Sequence, residues 1–276
     1  MNKKNGEELT QLNLIKYSIN YINLVKKKGI EPAKSSLCYL TPWAETPGYA
    51  RLILKINPYL FFLKNLIIHT RYIISILNCF NYILIDYSLK KKFKTAIISW
   101  AKEKDFKNGY YKDRYFQLNN NETDDILWYL IYLDKKIPKV NQLNIKLFYR
   151  SNTSFFIKLF KFSISFISVL LEYRFSIPKF LHYFSSLTIF GNIFSNIITN
   201  DYKKIAYNKI IMPYEGQPFQ NIIFKNLKKL NKEIMTIGYS HSALLPLPLN
   251  MIYRDGAPDI LKVSGSSQYN YLVKYL

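Results

Sequence analysis

Cysteine is scarce in this 276-residue sequence, which contains only Cys38 and Cys79. Two cysteines cannot build a disulfide framework or a zinc site of cysteine ligands, so these two classes of protein are excluded. The sequence also has no Walker loop, zinc motif or Ser-His-Asp spacing, and we predict neither a metal nor a bound cofactor. Its first residues are polar and include Glu7 and Glu8, so no apolar secretion segment follows the start. We therefore expect a cytoplasmic protein in a reducing compartment.

Acidic residues are also few, with 18 Asp and Glu against 39 Lys and Arg, which gives a formal net charge of +21. Such an excess is typical of proteins that bind nucleic acid or an anionic membrane surface. The lysines, however, run from Lys3 to Lys274 and do not form one patch. Because Lys, Asn, Ile, Tyr and Phe are abundant together, codon bias in an A/T-rich genome explains much of the charge. Nucleic acid is therefore the less favoured partner.

Uncharged segments long enough to cross a bilayer are nearly missing as well. Tyr72–Ile85 is shorter than the roughly 20 residues that a span requires, and Phe180–Asn200 is diluted by polar residues such as His182. We predict two aromatic-rich helices in Phe155–Asn200, separated by Ser176-Ile177-Pro178. Three interpretations of this region stay open: burial in the domain core, docking on a membrane face, and a true span. Docking is better supported than a span, because lysines border the phenylalanines at the start of the region.

With 49% hydrophobic residues, the chain can bury a substantial core. The segment that best indicates its fold contains two β-branched apolar runs. The first ends in Pro213-Tyr214-Glu215-Gly216 and the second in Gly238-Tyr239-Ser240-His241-Ser242. Between them, apolar residues three and four apart predict a helix over Phe219–Lys232. A third run, Asp259–Gly265, also has strand composition. This alternation predicts an α/β fold with an open parallel sheet.

Similar patterns predict the elements before this segment. Asn121–Asp125 is acidic and precedes the predicted helix Ile126–Leu133, where a helix N-terminus favours negative charge. We predict an amphipathic helix in Leu9–Lys28, a short strand over Ser36–Leu40, one or two core helices between Ile53 and Leu89, a central strand over Phe93–Trp100, an apolar helix over Ile126–Leu133 and a strand over Asn144–Tyr149.

Two groups of sequence strings are similar to a known family. The first contains YEGQPFQ, IGYSHS, the loop with Pro246 and Pro248, and PDILKVSG; the second contains Ser99-Trp100, GYYKDRYF over Gly109–Phe116, and ILWYLIYL. Together they resemble bacterial glycosyltransferases of surface carbohydrate (O-antigen or capsule type) biosynthesis with a GT-B-like fold of two Rossmann domains. The resemblance implies a glycan or lipid-linked acceptor and, for the complete enzyme, a nucleotide-sugar donor.

The same resemblance implies a domain organisation. Residues 1–276 would form a single Rossmann-like acceptor-side domain, with helices on both faces of the sheet and a helical insertion at about 151–203. The C-terminal domain that carries most donor contacts in the family would be absent, and a separately encoded domain would then be a partner. We expect the chain alone to be inactive and to associate peripherally with the inner face of the plasma membrane.

Polar residues that do chemistry in an open parallel sheet collect beyond the carboxyl ends of the strands. Glu215 and His241 follow adjacent predicted strands, so we predict that they face one crevice and include the base that deprotonates an acceptor hydroxyl. For Glu215 the alternative is to cap the following helix. The residues assigned to substrate binding are Gln217, Tyr239, Ser240, Ser242, Asp113, Arg114 and Trp100. For Asp113 and Arg114, contact with sugar hydroxyls and a structural role among stacked rings both stay open.

Three function classes result from these patterns. The first is a glycosyltransferase-like protein of surface polysaccharide assembly. The second is a noncatalytic accessory protein that binds glycan or a partner transferase. The third, less favoured, is a basic RNA-binding protein, whose binding would weaken steeply with salt.

Overall fold

The computed structural model describes residues 16, 19–35, 74–89, 92–116, 125–172, 176–240, 251 and 253–273. The strands are β1 (Tyr82–Asp86), β2 (Thr95–Ala101), β3 (Phe106–Lys107), β4 (Tyr110–Tyr111), β5 (Ile126–Tyr132), β6 (Ile145–Arg150), β7 (Lys209–Pro213), β8 (Met235–Ser240) and β9 (Ile260–Val263). The helices are α1 (19–27), α2 (74–79), α3 (Phe155–Glu172), α4 (Ile177–Tyr183), α5 (Ser186–Tyr202), α6 (Pro218–Leu230) and α7 (Ser266–Val273). Pro32–Lys34 and Glu103–Asp105 form single 3-10 turns.

Seven strands form one sheet in the order β1-β6-β5-β2-β7-β8-β9. Six of them are parallel, and β1 pairs antiparallel with β6 at the edge. Counted along the chain, the six parallel strands stand in the order 3-2-1-4-5-6. The chain thus moves from β2 to β5 and β6 on one side, then crosses back to β7 on the other side of β2. The predicted α/β class is confirmed, and the sheet is mixed because of β1.

Different elements pack on the two faces of the sheet. Alternate strand residues such as Ile98 and Tyr129 pack against α5 and α6, which lie on the same face. On the other face, Ile97 and Trp128 lie under Phe106, Tyr111, Phe116 and Val140, which belong to the β3–β4 hairpin and to loops. Among the described residues, α5 and α6 therefore cover one face of the sheet, and the β3–β4 hairpin with adjoining loops packs on the other.

Helices α5 and α6 approach each other closely at Gly191. A Cβ on this residue would lie 2.7 Å from the Cα of Phe219, which is a backbone atom of α6. Phe219 in turn contacts the rings of Phe190, with centroids 5.6 Å apart, and of Trp100, with centroids 6.1 Å apart. Only glycine at position 191 allows this spacing.

Two predictions of helix were wrong. Ile126–Leu133 was predicted as an apolar helix, but Ile126–Tyr132 is β5, a central strand in which all seven residues are buried. Tyr82–Asp86, within the region assigned to core helices, is the edge strand β1. A short, continuous apolar run has no polar face that would distinguish a buried strand from a buried helix. Backbone pairing with neighbouring strands decided the conformation.

The other predicted elements within the described ranges are confirmed. They include the strands β2, β6, β7, β8 and β9, helix α6 within one or two residues, and helix 19–27 with Gly29 after it at a φ of +68°. The proposed strand over Ser36–Leu40 lies outside the described residues.

The region after β6 forms three helices where we predicted two. Phe184 and Ser185 separate α4 from α5, and the Ser185 side chain caps α5 by accepting a hydrogen bond from the Thr188 N–H. Helix α5 packs in the core with Phe194 and Ile198 fully buried, so a span over Phe180–Asn200 is wrong. None of the helices in the described ranges is long and apolar enough to cross a membrane.

Candidate functional site

The strand order places a switch point between β2 and β7, because successive connections leave these two neighbours in opposite directions. In open α/β sheets, ligands bind outside the carboxyl ends of the strands at this point. Several of the predicted site residues lie there. We call the following set the carboxyl-edge site: Trp100, Tyr115, Phe116, Glu215, Gln217 and Tyr239.

Glu215 lies in the tight turn that joins β7 to α6. Gly216 supports this turn with a φ of +76°. The Glu215 carboxylate is half-buried, and its Oε2 accepts a hydrogen bond of 2.9 Å from the Gln217 side-chain amide. The hydrogen bond from Gln217 thus holds the carboxylate in place, and its partial exposure leaves it accessible to a ligand.

Gln220 organises the backbone of the same turn. Its side-chain oxygen accepts hydrogen bonds from the N–H groups of Glu215 and Gln217, at 3.0 and 2.9 Å. Its side-chain amide donates to the Pro213 carbonyl at 2.7 Å. Backbone N–H groups at a helix N-terminus have no partner within the helix. The Gln220 side chain supplies hydrogen bonds to backbone groups at the start of α6.

Asn221 ties this turn to the N-terminal segment. Its buried side-chain amide donates to the carbonyls of Ala33 and Gly216, each at 3.1 Å, and its oxygen accepts from the Tyr214 hydroxyl at 2.9 Å. Sequence patterns missed Gln220 and Asn221, because both lie on the polar side of a helix where a solvated role is the usual one. The sequence feature that could have indicated them is the pair of adjacent side-chain amides in the first turn of α6.

Aromatic rings stand at the carboxyl edge on both faces of the sheet, with Trp100 on the face of α6 and Tyr239 on the face of the hairpin. Trp100 is half-buried near the end of β2, with its ring centroid 6.2 Å from that of Tyr115. Tyr239 in β8 contacts Phe116 with centroids 5.4 Å apart. Half-buried rings beside a few fixed polar groups are the usual lining of a small-molecule site. Trp100 and Tyr239 were predicted site residues, whereas Tyr115 and Phe116 were not singled out.

Asp113 and Arg114 hold the segment that carries these rings. The Asp113 carboxylate accepts hydrogen bonds from the N–H groups of Tyr115 and Phe116 at 3.2 and 2.5 Å. Arg114 pairs with buried Asp105 at 3.1 Å, and its guanidinium lies over the Tyr115 ring. These contacts give both residues a structural role in the site, and their direct contact with a ligand stays a prediction.

The β8 side of the site is fixed by Gly238. A Cβ there would lie 2.8 Å from the Cβ of Tyr214, so a larger residue would push β7 and β8 apart. The Tyr214 N–H donates to the Tyr239 carbonyl at 2.8 Å, which extends the ladder past the end of β7. Ser240 is half-buried and ends β8 at the same edge. His241 and Ser242 lie outside the described residues, so the juxtaposition of Glu215 and His241 stays a prediction.

Tyr111 lies beneath the site with its hydroxyl donating to the Ser99 hydroxyl at 3.3 Å. Burial raises the pKa of Tyr111 well above its ordinary value, and nearby Asp113 raises it further. The phenol is therefore neutral and serves as a hydrogen-bond donor. In the part of the chain that the structure describes, no group of three or more His, Cys, Asp or Glu side chains could hold a metal ion.

Ser35 and His182 form a second polar contact, away from the predicted site. The Ser35 hydroxyl lies 2.6 Å from His182 Nδ1, and both residues are buried. Because both side chains are almost inaccessible, the pair joins the N-terminal segment to α4 and does not serve as a nucleophile and base. The two residues are 147 positions apart, so no local pattern predicted their contact.

Neither a protein-family model, nor a curated protein, nor a solved structure matches this chain.

Proposed function

We propose that this chain is a glycosyltransferase-like protein of surface polysaccharide biosynthesis, and that its carboxyl-edge site binds the sugar of a glycan or lipid-linked acceptor. We also propose that its fold is a Rossmann-like domain of a GT-B-like enzyme. The strand order 3-2-1-4-5-6 supports it, because classic doubly wound dinucleotide-binding sheets have this order.

The observation that carries the proposal is the mixture of groups at the switch point. Trp100, Tyr115 and Tyr239 offer half-buried rings, while Glu215 and Gln217 offer an acceptor and a donor at the end of the neighbouring strand. Aromatic faces pack against the C–H faces of sugar rings, and carboxylate and amide groups bond to sugar hydroxyls. This mixture suits small polar ligands in general, and the resemblance of the sequence strings selects a sugar among them.

In this proposal Glu215 is the base. Its carboxylate takes the proton of an acceptor hydroxyl as the hydroxyl oxygen attacks the anomeric carbon of a nucleotide sugar, and the nucleotide phosphate departs. Gln217 keeps the carboxylate oriented through the hydrogen bond at Oε2. The nucleotide sugar is a substrate and not a resident cofactor.

A noncatalytic glycan-binding accessory protein is the second candidate. It is favoured by one observation: Asp113, Arg114 and Glu215 all have protein partners, so the rings are the main surface left for a ligand. Transfer activity separates the two candidates, because only the enzyme requires Glu215 as a base.

The experiment measures binding and transfer in parallel. Calorimetry of the full chain against polyprenyl-linked and free oligosaccharides, and against UDP-, GDP- and CMP-sugars, should detect a glycan ligand. We expect Trp100→Ala to weaken that binding by about two- to tenfold, since stacked rings contribute about 0.5–1.5 kcal/mol. The matched control is Tyr87→Ala, a half-buried tyrosine at the opposite edge of the sheet.

Glu215→Gln then distinguishes enzyme from accessory protein. In an enzyme, transfer should fall by about a hundredfold or more while glycan binding stays within a few-fold. Glycan binding that is not followed by transfer, even when a separately encoded donor-binding domain is supplied, would favour the accessory protein. If no glycan or sugar nucleotide binds, or if Trp100→Ala and Tyr87→Ala act alike, the carboxyl-edge site is not a sugar site.

A further inference from the structure

Helix α3 is the least buried long helix of the described chain. It has 18 residues, and none of them is fully buried. One row of its side chains, Phe162, Phe166 and Val169, packs against α4 and α5, with the rings of Phe166 and Phe180 5.1 Å apart. This inner row fixes the helix on the domain.

The opposite side of α3 is also apolar. Its residues follow one another at spacings of three and four, so they form a single stripe along the helix. We call this the outer stripe: Phe156, Phe160, Ile164, Ile167 and Leu171. Phe156 is 81% exposed and Phe160 is 67% exposed, and the other three are exposed as well. A helix that is apolar on two opposite sides requires a second apolar partner.

Charge indicates what that partner is. Lys158 and Lys161 lie between the inner row and the outer stripe, and the single acidic residue of α3 is Glu172 at its C-terminal end. A second copy of the chain docked through the same stripe would bring like charges together, which costs free energy. An apolar stripe with a basic border instead matches an anionic lipid bilayer.

We propose that α3 docks this protein on an anionic membrane surface by inserting the outer stripe into the lipid interface. The helix lies in the plane of the surface along about 27 Å, from 18 residues at 1.5 Å each. It does not span, because its inner row is packed on the domain and no helix in the described ranges could cross a bilayer. Of the helices in the region Phe155–Asn200, α3 is the one that we propose as the docking surface.

The position of α3 has a consequence for the carboxyl-edge site. Strand β6 ends at Arg150 and α3 begins at Phe155, so the start of α3 lies near the carboxyl edge of the sheet. Strand β6 is two positions from β2, a distance of about 10 Å. Docking through Phe156 and Phe160 therefore brings the carboxyl-edge site toward the bilayer, where a lipid-linked ligand would be found. This consequence depends on the proposed function, and the docking itself does not.

Vesicle sedimentation tests the docking. The full chain is mixed with vesicles of phosphatidylcholine alone or with about 30% phosphatidylglycerol, at low and high salt. We expect binding to the anionic vesicles that weakens with salt. The double variant Phe156→Ser/Phe160→Ser and the double variant Lys158→Glu/Lys161→Glu should each bind about tenfold or more weakly.

The control is Leu89→Ser, which removes an apolar side chain that is 74% exposed at the amino edge of the sheet. It should leave vesicle binding unchanged, and circular dichroism should show native folding for all variants. Equal binding to neutral and anionic vesicles, no binding to either, or full binding by Phe156→Ser/Phe160→Ser would overturn the proposal. So would a concentration-dependent dimer, seen by light scattering, that this double variant abolishes, because the outer stripe would then belong to a second copy.

Discussion

The two edges of the sheet use polar residues in opposite ways. At the amino edge lies a group that we call the amino-edge cluster: Lys146, Asp86, Asp201 and Tyr129. Lys146 is 1% exposed and lies 2.7 Å from a carboxylate oxygen of each aspartate, while the Tyr129 hydroxyl donates to Asp201. At the carboxyl edge, Trp100, Glu215 and Tyr239 are half-buried and border solvent.

In our proposal, the strongest ionic contacts of this protein do not mark its site. Burial raises the pKa of Tyr129 well above its ordinary value, and Tyr207 and Asp201 beside it raise it further, so the phenol stays a proton donor to Asp201. The amino-edge cluster satisfies its own charges within the protein. The carboxyl-edge site has weaker contacts and accessible groups, which a ligand requires.

The amino-edge cluster should show the largest effect on stability. Asp201→Ala removes one carboxylate from buried Lys146 and the acceptor from Tyr129, so we expect a loss of about 3–5 kcal/mol in the free energy of unfolding. Urea unfolding measures it. The control is Lys136→Ala, whose exposed pair with Glu103 spans 3.9 Å and should contribute about 0–1 kcal/mol. Similar losses in both variants would contradict a structural role for burial here.

At the carboxyl edge, the backbone of the turn should be more sensitive than its exposed side chains. Asn221→Ala leaves the Tyr214 hydroxyl and two carbonyls without this partner, and we expect a loss of about 1–3 kcal/mol. Asn226→Ala, on the same helix, removes only a bond of 3.0 Å from a half-buried amide to Ser195. Urea unfolding should rank Asn221→Ala as clearly the more damaging change, and the reverse order would show that the turn is held by other contacts.

Acid should act on the amino edge through Asp86. Burial raises the pKa of this carboxyl, but hydrogen bonds from Lys146 and Ser88 outweigh burial and lower the pKa below 3.8. Its contribution to stability is therefore present above about pH 4 and is lost as the pH falls through the lowered value. Asp86→Asn should make unfolding less dependent on pH in that acid window. Thermal melts of both proteins between about pH 5 and pH 3 test this, and parallel curves would exclude Asp86 as the cause.

Glu215→Gln should have the smallest effect on stability. The side chain is half-buried, and a glutamine oxygen can still accept the bond from Gln217, so we expect a change within about 0.5 kcal/mol. A loss comparable to that of Asn221→Ala would make Glu215 a structural residue and remove the contrast between the two edges.

Much of the parallel half of the sheet could be predicted from sequence. Strands β7 and β8 ended in turn residues and were separated by a periodic helix, so Glu215 and Tyr239 could be placed at one edge without a structure. Strand β5 could not be assigned, because its seven buried residues have no period and the acidic residues before it imitated a helix start. Strand β1 was hidden within a long apolar region for the same reason.

The candidate site was predictable only where it follows the ends of strands. Trp100 fitted this rule. Tyr115 and Phe116 did not, since their positions depend on Asp113 and on the pairing of Arg114 with Asp105 across a loop. The support from Asn221 depends on Ala33, which is 188 residues away in sequence. Such contacts arise from tertiary packing and leave no local pattern.

The close approach at Gly191 has a dynamic consequence. A ligand held against Trp100 would also restrain Phe219, whose backbone packs closely against α5 at Gly191. Bound ligand would therefore disfavour the opening of α5 away from the sheet. Amide hydrogens of α5 should therefore exchange with deuterium more slowly when the carboxyl-edge site is filled, although α5 contributes no side chain to that site.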